Sequence, residues 1–164
     1  MSGNQKPELL QPVTDAVRDA ARALVMKAQY GALATIEPGT GHPIATRVGL
    51  VATANGTPLI LVSALAAHTP ALLADPRCSL LVGDAGKGDP LAHPRLTLKC
   101  RAERLPRDSA AHAQARKIYL AAHPKAQLYV DLPDFRFFAL EPESASYNAG
   151  FGRAHALTKA DLIA

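Results

Sequence analysis

Apolar residues recur along this chain with two different periods, and these periods separate helices from strands. Near the start they follow helical spacing, which predicts a helix over Asp15–Gln29 behind a Thr14 cap. Later segments are continuously apolar or alternate with polar residues, and turn signals such as Asn55-Gly56 divide them. The pattern therefore predicts strands over 31–37, 42–53, 57–62, 77–83, 95–105, 135–140 and 144–148.

Two shorter segments and the end of the chain return to helical spacing. We predict helices over 70–74 and 108–122, a final helical turn near 158–162, and an exposed loop over 84–94. Hairpin links without a βαβ rhythm favour a mainly β (α+β) fold, a small antiparallel barrel of about six strands with peripheral helices. The 164 residues suit a single domain over 14–164 behind an N-terminal tail at 1–13.

The junction between the third strand and the second helix has the chemistry of an anion site. Thr69 followed by Pro70 predicts a helix that is capped by the threonine hydroxyl and has proline at its first position. The free amides of such a helix start attract negative charge, and Ser63 and His68 would lie close to them. We expect an anion to bind at Ser63, His68 and Thr69.

Composition excludes several other functions. The net charge of +4 is scattered along the chain, and there is no Trp, so a nucleic-acid surface is not expected. No apolar run is long enough to span a membrane and no signal peptide is visible, which predicts a cytoplasmic protein without a membrane partner. Cys78 and Cys100 are expected to be buried, unbridged residues. The six histidines lack metal-ligand spacing, and hydrolase and P-loop motifs are absent.

Two arginines stand out within the predicted strands. Arg47 interrupts an otherwise apolar run, where it either meets a ligand or points to solvent from an amphipathic strand. Arg95 begins a later strand and is either a ligand contact or an ordinary surface charge. Spacing alone leaves both alternatives open.

Five passages of the chain, read in order, resemble one protein family. They are Ala45–Val48, Ser63–Thr69, Asp75–Leu81, Arg95–Leu105 and the Gly-Phe-Gly-Arg-Ala stretch at 150–154. Together they are similar to the FMN-binding split-barrel family of pyridoxamine 5′-phosphate oxidases, and more closely to its haem-utilisation (HugZ-like) branch. The resemblance implies a six-stranded split barrel that forms a homodimer, with FMN at the subunit interface.

The same resemblance implies roles for individual residues. Arg47 would meet the FMN phosphate, which His68 and Thr69 would help to hold. The backbone near Val48 and Ser63 would contact the flavin or its ribityl chain, and Arg95 would be a polar flavin contact. Arg153 and His155 match an Arg-x-His pair that holds substrate in the oxidases. No catalytic side chain is implied, because the flavin itself performs the redox step.

This sequence departs from the oxidase pattern in ways that affect the ligand. Ala52 stands where the oxidases have a phosphate-binding lysine, and His68-Thr69 replaces an Arg-Lys pair, so a phosphate dianion would be held by fewer cations and less tightly. The C-terminal segment lacks the aromatic residues of the oxidases, which argues against pyridoxamine phosphate as substrate.

Three functions remain open on these grounds. The first is an FMN-dependent oxidoreductase acting on a small redox substrate. The second is a haem-binding or haem-degrading dimer, with propionates at Arg47, Arg95 or Arg153 and an axial ligand from His68 or His155. The third is a binding module without catalysis.

Overall fold

The computed structural model describes residues 10–164, and seven antiparallel strands form the centre of this part of the chain. The strands are β1 (Tyr30–Ile36), β2 (Pro43–Ala52), β3 (Pro58–Ser63), β4 (Arg77–Val82), β5 (Arg95–Arg104), β6 (Phe135–Asn148) and β7 (Ala154–Thr158). They are ordered β3-β2-β1-β4-β5-β6-β7, and an additional pairing of β3 with β6 closes the first six into a barrel. The predicted mainly β barrel is confirmed, with the seventh strand lying outside it.

Within residues 10–164, four helices surround the barrel: α1 (Asp15–Lys27), α2 (His68–Ala74), α3 (Ala110–Ala122) and α4 (Lys159–Leu162). The predicted Thr14 cap is confirmed, because its hydroxyl accepts a hydrogen bond from the Val17 amide at 3.3 Å. Within residues 10–164, no helix is long and apolar enough to cross a membrane.

Two apolar clusters account for most of the burial. The larger one fills the barrel and packs against α1, which contributes Ala21 and Val25. The smaller one lies outside the barrel, where α3 and the 3₁₀ segment Pro124–Leu128 cover part of β3 and β6. Cys78 and Cys100 are both buried and unbridged, as predicted, and they are direct cross-strand partners on β4 and β5.

Two elements differ from the sequence-based prediction. The strands predicted at 135–140 and 144–148 are one continuous strand, β6, and the pairing of β5 with β6 shifts register between Lys99 and Cys100. The sequence predicted a break because Glu141-Pro142-Glu143 resembles a turn. In the structure the strand continues through these residues, because the register shift accommodates the proline. Strand β7 was not predicted, because it is only five residues long and directly follows a glycine-rich segment, which is typical of a loop.

The predicted N-terminal tail lies largely outside the described residues. Its last part is attached to β7: the Gln11 amide N–H donates to the Ala154 carbonyl at 2.8 Å. The Pro12 carbonyl accepts a hydrogen bond from the ring of His155.

Candidate functional site

Strand register fixes which side chains the outer surface of the barrel displays within the described residues. Side chains alternate between the two faces of a strand, so partners in register share a face. One row across six strands contains Arg47, Ala32, Leu81, Thr97, Ser146 and Ala156. A second, parallel row contains Ala45, Ala34, Ser79, Lys99, Ser144 and Thr158. We call these two rows the open face.

Most side chains of the open face are small. All twelve are exposed or half-buried, and its one large apolar member, Leu81, is 41% exposed. Arg47 on β2 and Lys99 on β5 are the cations of the two rows, and because their strands are three steps apart in the closed six-stranded barrel, they lie on opposite sides of it. A planar molecule placed beside Arg47 would find the small side chains of Ala32 and Ala45 beneath it and one cation at its edge.

Arg47 is oriented by an aromatic neighbour. Its guanidinium carbon lies 5.8 Å from the centre of the Tyr30 ring, within the range of a cation–π contact. The Tyr30 hydroxyl donates to Asp84 Oδ1 at 2.6 Å, and this hydrogen bond raises the pKa of the phenol. Among residues 10–164, no carboxylate forms a salt bridge with Arg47, so its charge is available to a ligand.

Ser63 and Thr69 come together at the junction of β3 and α2, but the hydroxyls of both residues already form hydrogen bonds within the protein. The Thr69 hydroxyl donates to the Ser63 carbonyl at 2.6 Å. Ser63 Oγ donates to Asp134 Oδ2 and accepts from the Leu65 amide, each at 3.2 Å.

The predicted Thr69 cap is wrong. The helix α2 begins at His68, and its N-cap residue Ala67 has no side chain able to accept a hydrogen bond. Ala66 closes a tight turn onto Ser63, which brings the chain into helical geometry before the threonine is reached. The seven-residue helix therefore starts without a polar cap, and the threonine hydroxyl acts as a donor within the fold.

His68 lies inside one end of the barrel. Its side chain is 7% exposed, and its Nδ1 is 2.9 Å from the hydroxyl of Thr46, on the inward side of β2. Burial lowers the pKa of the ring, so His68 is neutral at neutral pH. Ala52 is also buried in the barrel core. Both positions where the sequence departs from the oxidase pattern are therefore uncharged.

The remaining predicted flavin contacts are separated from Arg47. Val48 is buried and its side chain belongs to the barrel core, although it directly follows Arg47. Arg95 is half-buried, and its Nη1 donates to the carbonyls of Leu91 and His93 at 3.1 and 3.4 Å. Arg95 thus holds the loop before β5.

Arg153 and His155 lie at the far edge of the sheet. Arg153 is exposed and donates from Nη2 to the Ala149 carbonyl at 2.9 Å. His155 is buried between β7 and α1, whereas the next residue, Ala156, belongs to the open face. Because neighbouring side chains on a strand point in opposite directions, the His155 ring is directed away from that face.

Sequence reasoning missed Tyr30 and Asp84, together with the open face itself. The small residues at alternate positions of β1, Ala32 and Ala34, were the one signal of the open face in the sequence. A row that crosses several strands can be identified only when the register between the strands is known. Within the described residues, no group of three His, Cys, Asp or Glu side chains could hold a metal ion.

Comparison with known proteins adds family evidence to this geometry. The model of the pyridoxamine 5′-phosphate oxidase family matches residues 17–149. A curated relative, the chloroplastic non-canonical heme oxygenase HOZ of Arabidopsis thaliana, is 37% identical over 114 residues, which are 70% of this chain and 34% of that protein. The chain thus spans about one third of this relative.

Two solved structures are also similar. One is a heme binding protein from Mycobacterium smegmatis, with a TM-score of 0.81 and 30% identity, covering 93% of this chain and 61% of that one. The other is a protein of unknown function from Agrobacterium tumefaciens, with a TM-score of 0.81 and 34% identity, covering 97% and 66%. The barrel is therefore shared with proteins that are longer than this chain.

Proposed function

This chain belongs to the pyridoxamine 5′-phosphate oxidase family, and from that premise we propose that it binds haem on the open face of a homodimer. The observation that carries the proposal is Arg47, which pairs with no described carboxylate and lies beside the exposed small side chains of the double row. A porphyrin is planar and apolar, and its two propionates are separate single charges on one edge of the ring. A single cation at that edge is sufficient to pair a carboxylate.

The phosphate of FMN fits these residues less well. A phosphate dianion needs several donors converging on one point. His68 is neutral and buried, the Thr69 hydroxyl already donates to the Ser63 carbonyl, and Ala52 has no polar group. Arg47 is the one predicted phosphate contact that remains both charged and unpaired among the described residues.

Relatives support haem as the ligand. HOZ is named a heme oxygenase and the Mycobacterium smegmatis protein a heme binding protein, at 37% and 30% identity. Because this chain spans only part of both, haem binding and any degradation of haem are proposals for this chain.

The residues of the open face would position the ligand. Arg47, held against Tyr30, would pair with a propionate. The small side chains beside it would contact the ring plane, and Leu81 and its counterpart in a second copy would exclude water. When bound, haem supplies the ability to bind dioxygen and to exchange electrons.

Neither row of the open face contains a histidine. His68 is enclosed in the barrel and His155 is directed to the other side of β7. We therefore expect the haem to be held by propionate pairing and ring contacts, and we expect binding to survive His68→Asn and His155→Asn.

A hemin titration of the full-length chain tests the proposal. We expect a Soret band that saturates at one haem per chain, and weaker binding by Arg47→Gln but not by the remote surface variant Lys117→Gln. Absence of a saturable Soret change, or equal affinity of Arg47→Gln and the parent chain, would overturn the proposal.

A second candidate is an FMN-dependent oxidoreductase acting on a small redox substrate, and Arg47, which pairs with no described carboxylate, favours it. Titration with FMN separates the two functions. Quenching of flavin fluorescence with an increase in melting temperature, without a response to hemin, would favour FMN. A dimer that binds neither ligand would indicate a binding module without catalysis.

A further inference from the structure

Cys78 on β4 and Cys100 on β5 lie opposite each other inside the barrel. They are partners in register, and both belong to the apolar cluster that fills the barrel. Near them the Ala102 amide donates to the Pro76 carbonyl at 2.7 Å, which makes these two opposed residues a hydrogen-bonded pair. Such pairs occur at every second position of an antiparallel ladder. The two cysteines, two positions further along, therefore form the next hydrogen-bonded pair.

The spacing of this pair suits a bridging ion better than a disulfide. The Cα atoms of a hydrogen-bonded pair are about 5.5 Å apart, and their side chains are further apart than those of the alternating pairs. A disulfide needs Cβ atoms about 3.8 Å apart. Two metal–thiolate bonds of about 2.3 Å, the length of a zinc–sulfur bond, join sulfurs that are about 4.6 Å apart. A single cation between the two sulfurs therefore fits the register, and both cysteines are unbridged in the structure.

A buried hydroxyl without a partner adjoins the thiols. Thr35 is 1% exposed, and among the described residues its Oγ1 forms no hydrogen bond. Ala34 is in register with Ser79, so the residues beside them, Thr35 and Cys78, adjoin across β1 and β4. Native proteins rarely leave a buried hydroxyl unpaired. A thiolate sulfur at Cys78 would give this hydroxyl an acceptor.

The two thiols and the Thr35 hydroxyl border a cavity of about 430 Å³. Its rim includes the exposed residues Pro43 and Lys99, so a small ion can enter from solvent. Lys99 forms no salt bridge with any described carboxylate, and Glu143 on the same rim is paired with Arg101 at 3.4 Å. The cavity therefore offers both an entry path and a positive charge for an anionic complex.

The number of ligands decides which cation suits the pair. Structural zinc takes four protein ligands and catalytic zinc three, and iron–sulfur clusters are held by four cysteines. Over residues 10–164, no cluster of three His, Cys, Asp or Glu side chains is present for such a metal. Monovalent copper prefers soft sulfur ligands, and two thiolates are sufficient for it. Burial raises the pKa of Cys78 to about 12, so only a cation with high affinity for sulfur can displace the proton.

We propose that Cys78 and Cys100 form a two-coordinate site for Cu(I). Each thiol releases its proton to solvent and forms one sulfur–copper bond, so the copper remains monovalent and the complex carries one negative charge. Thr35 donates its hydroxyl to the Cys78 sulfur, and Lys99 lies at the entrance. The site is inside the barrel, whereas Arg47 is on its outer surface, so the copper site does not rest on the proposed haem site.

Competition with the coloured Cu(I)–bicinchoninate complex, without oxygen and with ascorbate present, measures copper transfer to the full-length chain. We expect the chain to take up one Cu(I), and X-ray absorption of the loaded protein to show two sulfur neighbours and no nitrogen. Cys78→Ala and Cys100→Ala should each lose this transfer. Met26→Leu, which removes a half-exposed thioether, is the control and should retain it.

The supporting hydroxyl is tested separately. Thr35→Val keeps the shape and loses the donor, so it should weaken Cu(I) binding about 10-fold, as expected for a group that hydrogen bonds to a metal ligand. Thr97→Val, on the outer surface of β5, is the matched control and should have no effect. Hemin binding, followed by the Soret band, should be the same in Cys78→Ala as in the parent chain.

Three results would overturn the copper site. They are a parent chain that takes no copper from bicinchoninate, a cysteine variant that binds copper as tightly as the parent, and nitrogen neighbours in the X-ray absorption spectrum. The last measurement uses the parent chain alone, so it decides the proposal even if a cysteine variant does not fold.

Discussion

The guanidinium of Arg47 lies 5.8 Å from the centre of the Tyr30 ring, and Tyr30 in turn donates a hydrogen bond to Asp84. The contact joins neighbouring strands, since β1 pairs with β2 along its whole length. It restrains a long side chain that is otherwise free to move on an exposed surface. Restraint before binding reduces the entropy cost of pairing with an anionic ligand.

Replacing Arg47 therefore tests the open face directly. We expect Arg47→Gln to weaken hemin binding about 5- to 10-fold, the value of one charge-assisted hydrogen bond at an exposed site. Tyr30→Leu should weaken binding less, because the charge remains and only its restraint is lost. Isothermal titration measures both, and unchanged melting temperatures would show that the barrel is intact. A larger effect for Tyr30→Leu than for Arg47→Gln would contradict this order.

The homodimer is tested at Leu81, in the middle of the open face. A second copy covering this face would bury the side chain, and Leu81→Asp would then place a charge in the interface. We expect sedimentation velocity to show a dimer for the parent chain and a monomer for Leu81→Asp. Leu128→Asp is the control, because this 84% exposed leucine lies on the 3₁₀ segment away from the open face. An equal shift in both variants would rule out the open face as the interface.

The barrel was largely predictable because its signals are local. Alternation, turn residues and caps each depend on a few neighbouring positions, and they located the residues of β1 to β6 and of the four described helices to within a few positions. The continuity of β6 was not predictable in this way. Its proline resembles a break, and only the register shift opposite it in β5 shows how the strand continues.

The site was less predictable because its members are distant in sequence. Arg47 was identified as an anomalous charge, but Tyr30 and Leu81 join it only through strand register. His68 and Thr69 were expected to face a ligand because a threonine followed by proline resembles a cap. The tight turn at Ala66 brings both into the helix instead, where one faces the barrel interior and the other donates to Ser63.

Buried His68 makes stability depend on pH. Its pKa is lowered by burial, and the pKa of His112 is lowered for the same reason, with nearby Arg107 adding to the effect. The unfolded chain therefore takes up protons that the folded chain excludes as pH falls below about 6.5. The contribution of the neutral histidines to the unfolding free energy is fully present above that pH. It is lost as the pH falls towards the lower pKa of the folded state.

We expect the unfolding free energy to fall between pH 6.5 and 5, by at most about 1.4 kcal/mol per pH unit for each histidine. His68→Asn should remove the contribution of His68 and leave that of His112, so the slope decreases without vanishing. His42→Asn, in an exposed turn, is the matched control. Denaturant unfolding at several pH values measures the slope, and an identical slope in His68→Asn and the parent chain would contradict the assignment.

The role of Thr69 can be decided by comparing it with Thr14. An N-cap side chain accepts a hydrogen bond, so aspartate is tolerated there, and Thr14→Asp should leave the stability of α1 unchanged or slightly increased. The Thr69 hydroxyl instead donates to the Ser63 carbonyl from a position that is 1% exposed. An aspartate at that position cannot donate when ionised, and its charge would be buried beside a carbonyl oxygen.

We therefore expect Thr69→Asp to lower the unfolding free energy by about 3 kcal/mol or more, the cost of an uncompensated buried charge. Thr69→Val retains the shape and loses only the hydrogen bond, so it should cost about 1 kcal/mol. Denaturant unfolding at pH 7 compares both with Thr14→Asp. Equal tolerance of aspartate at positions 14 and 69 would mean that Thr69 is a cap after all. The backbone amides of the first turn of α2 would then be available to an anion.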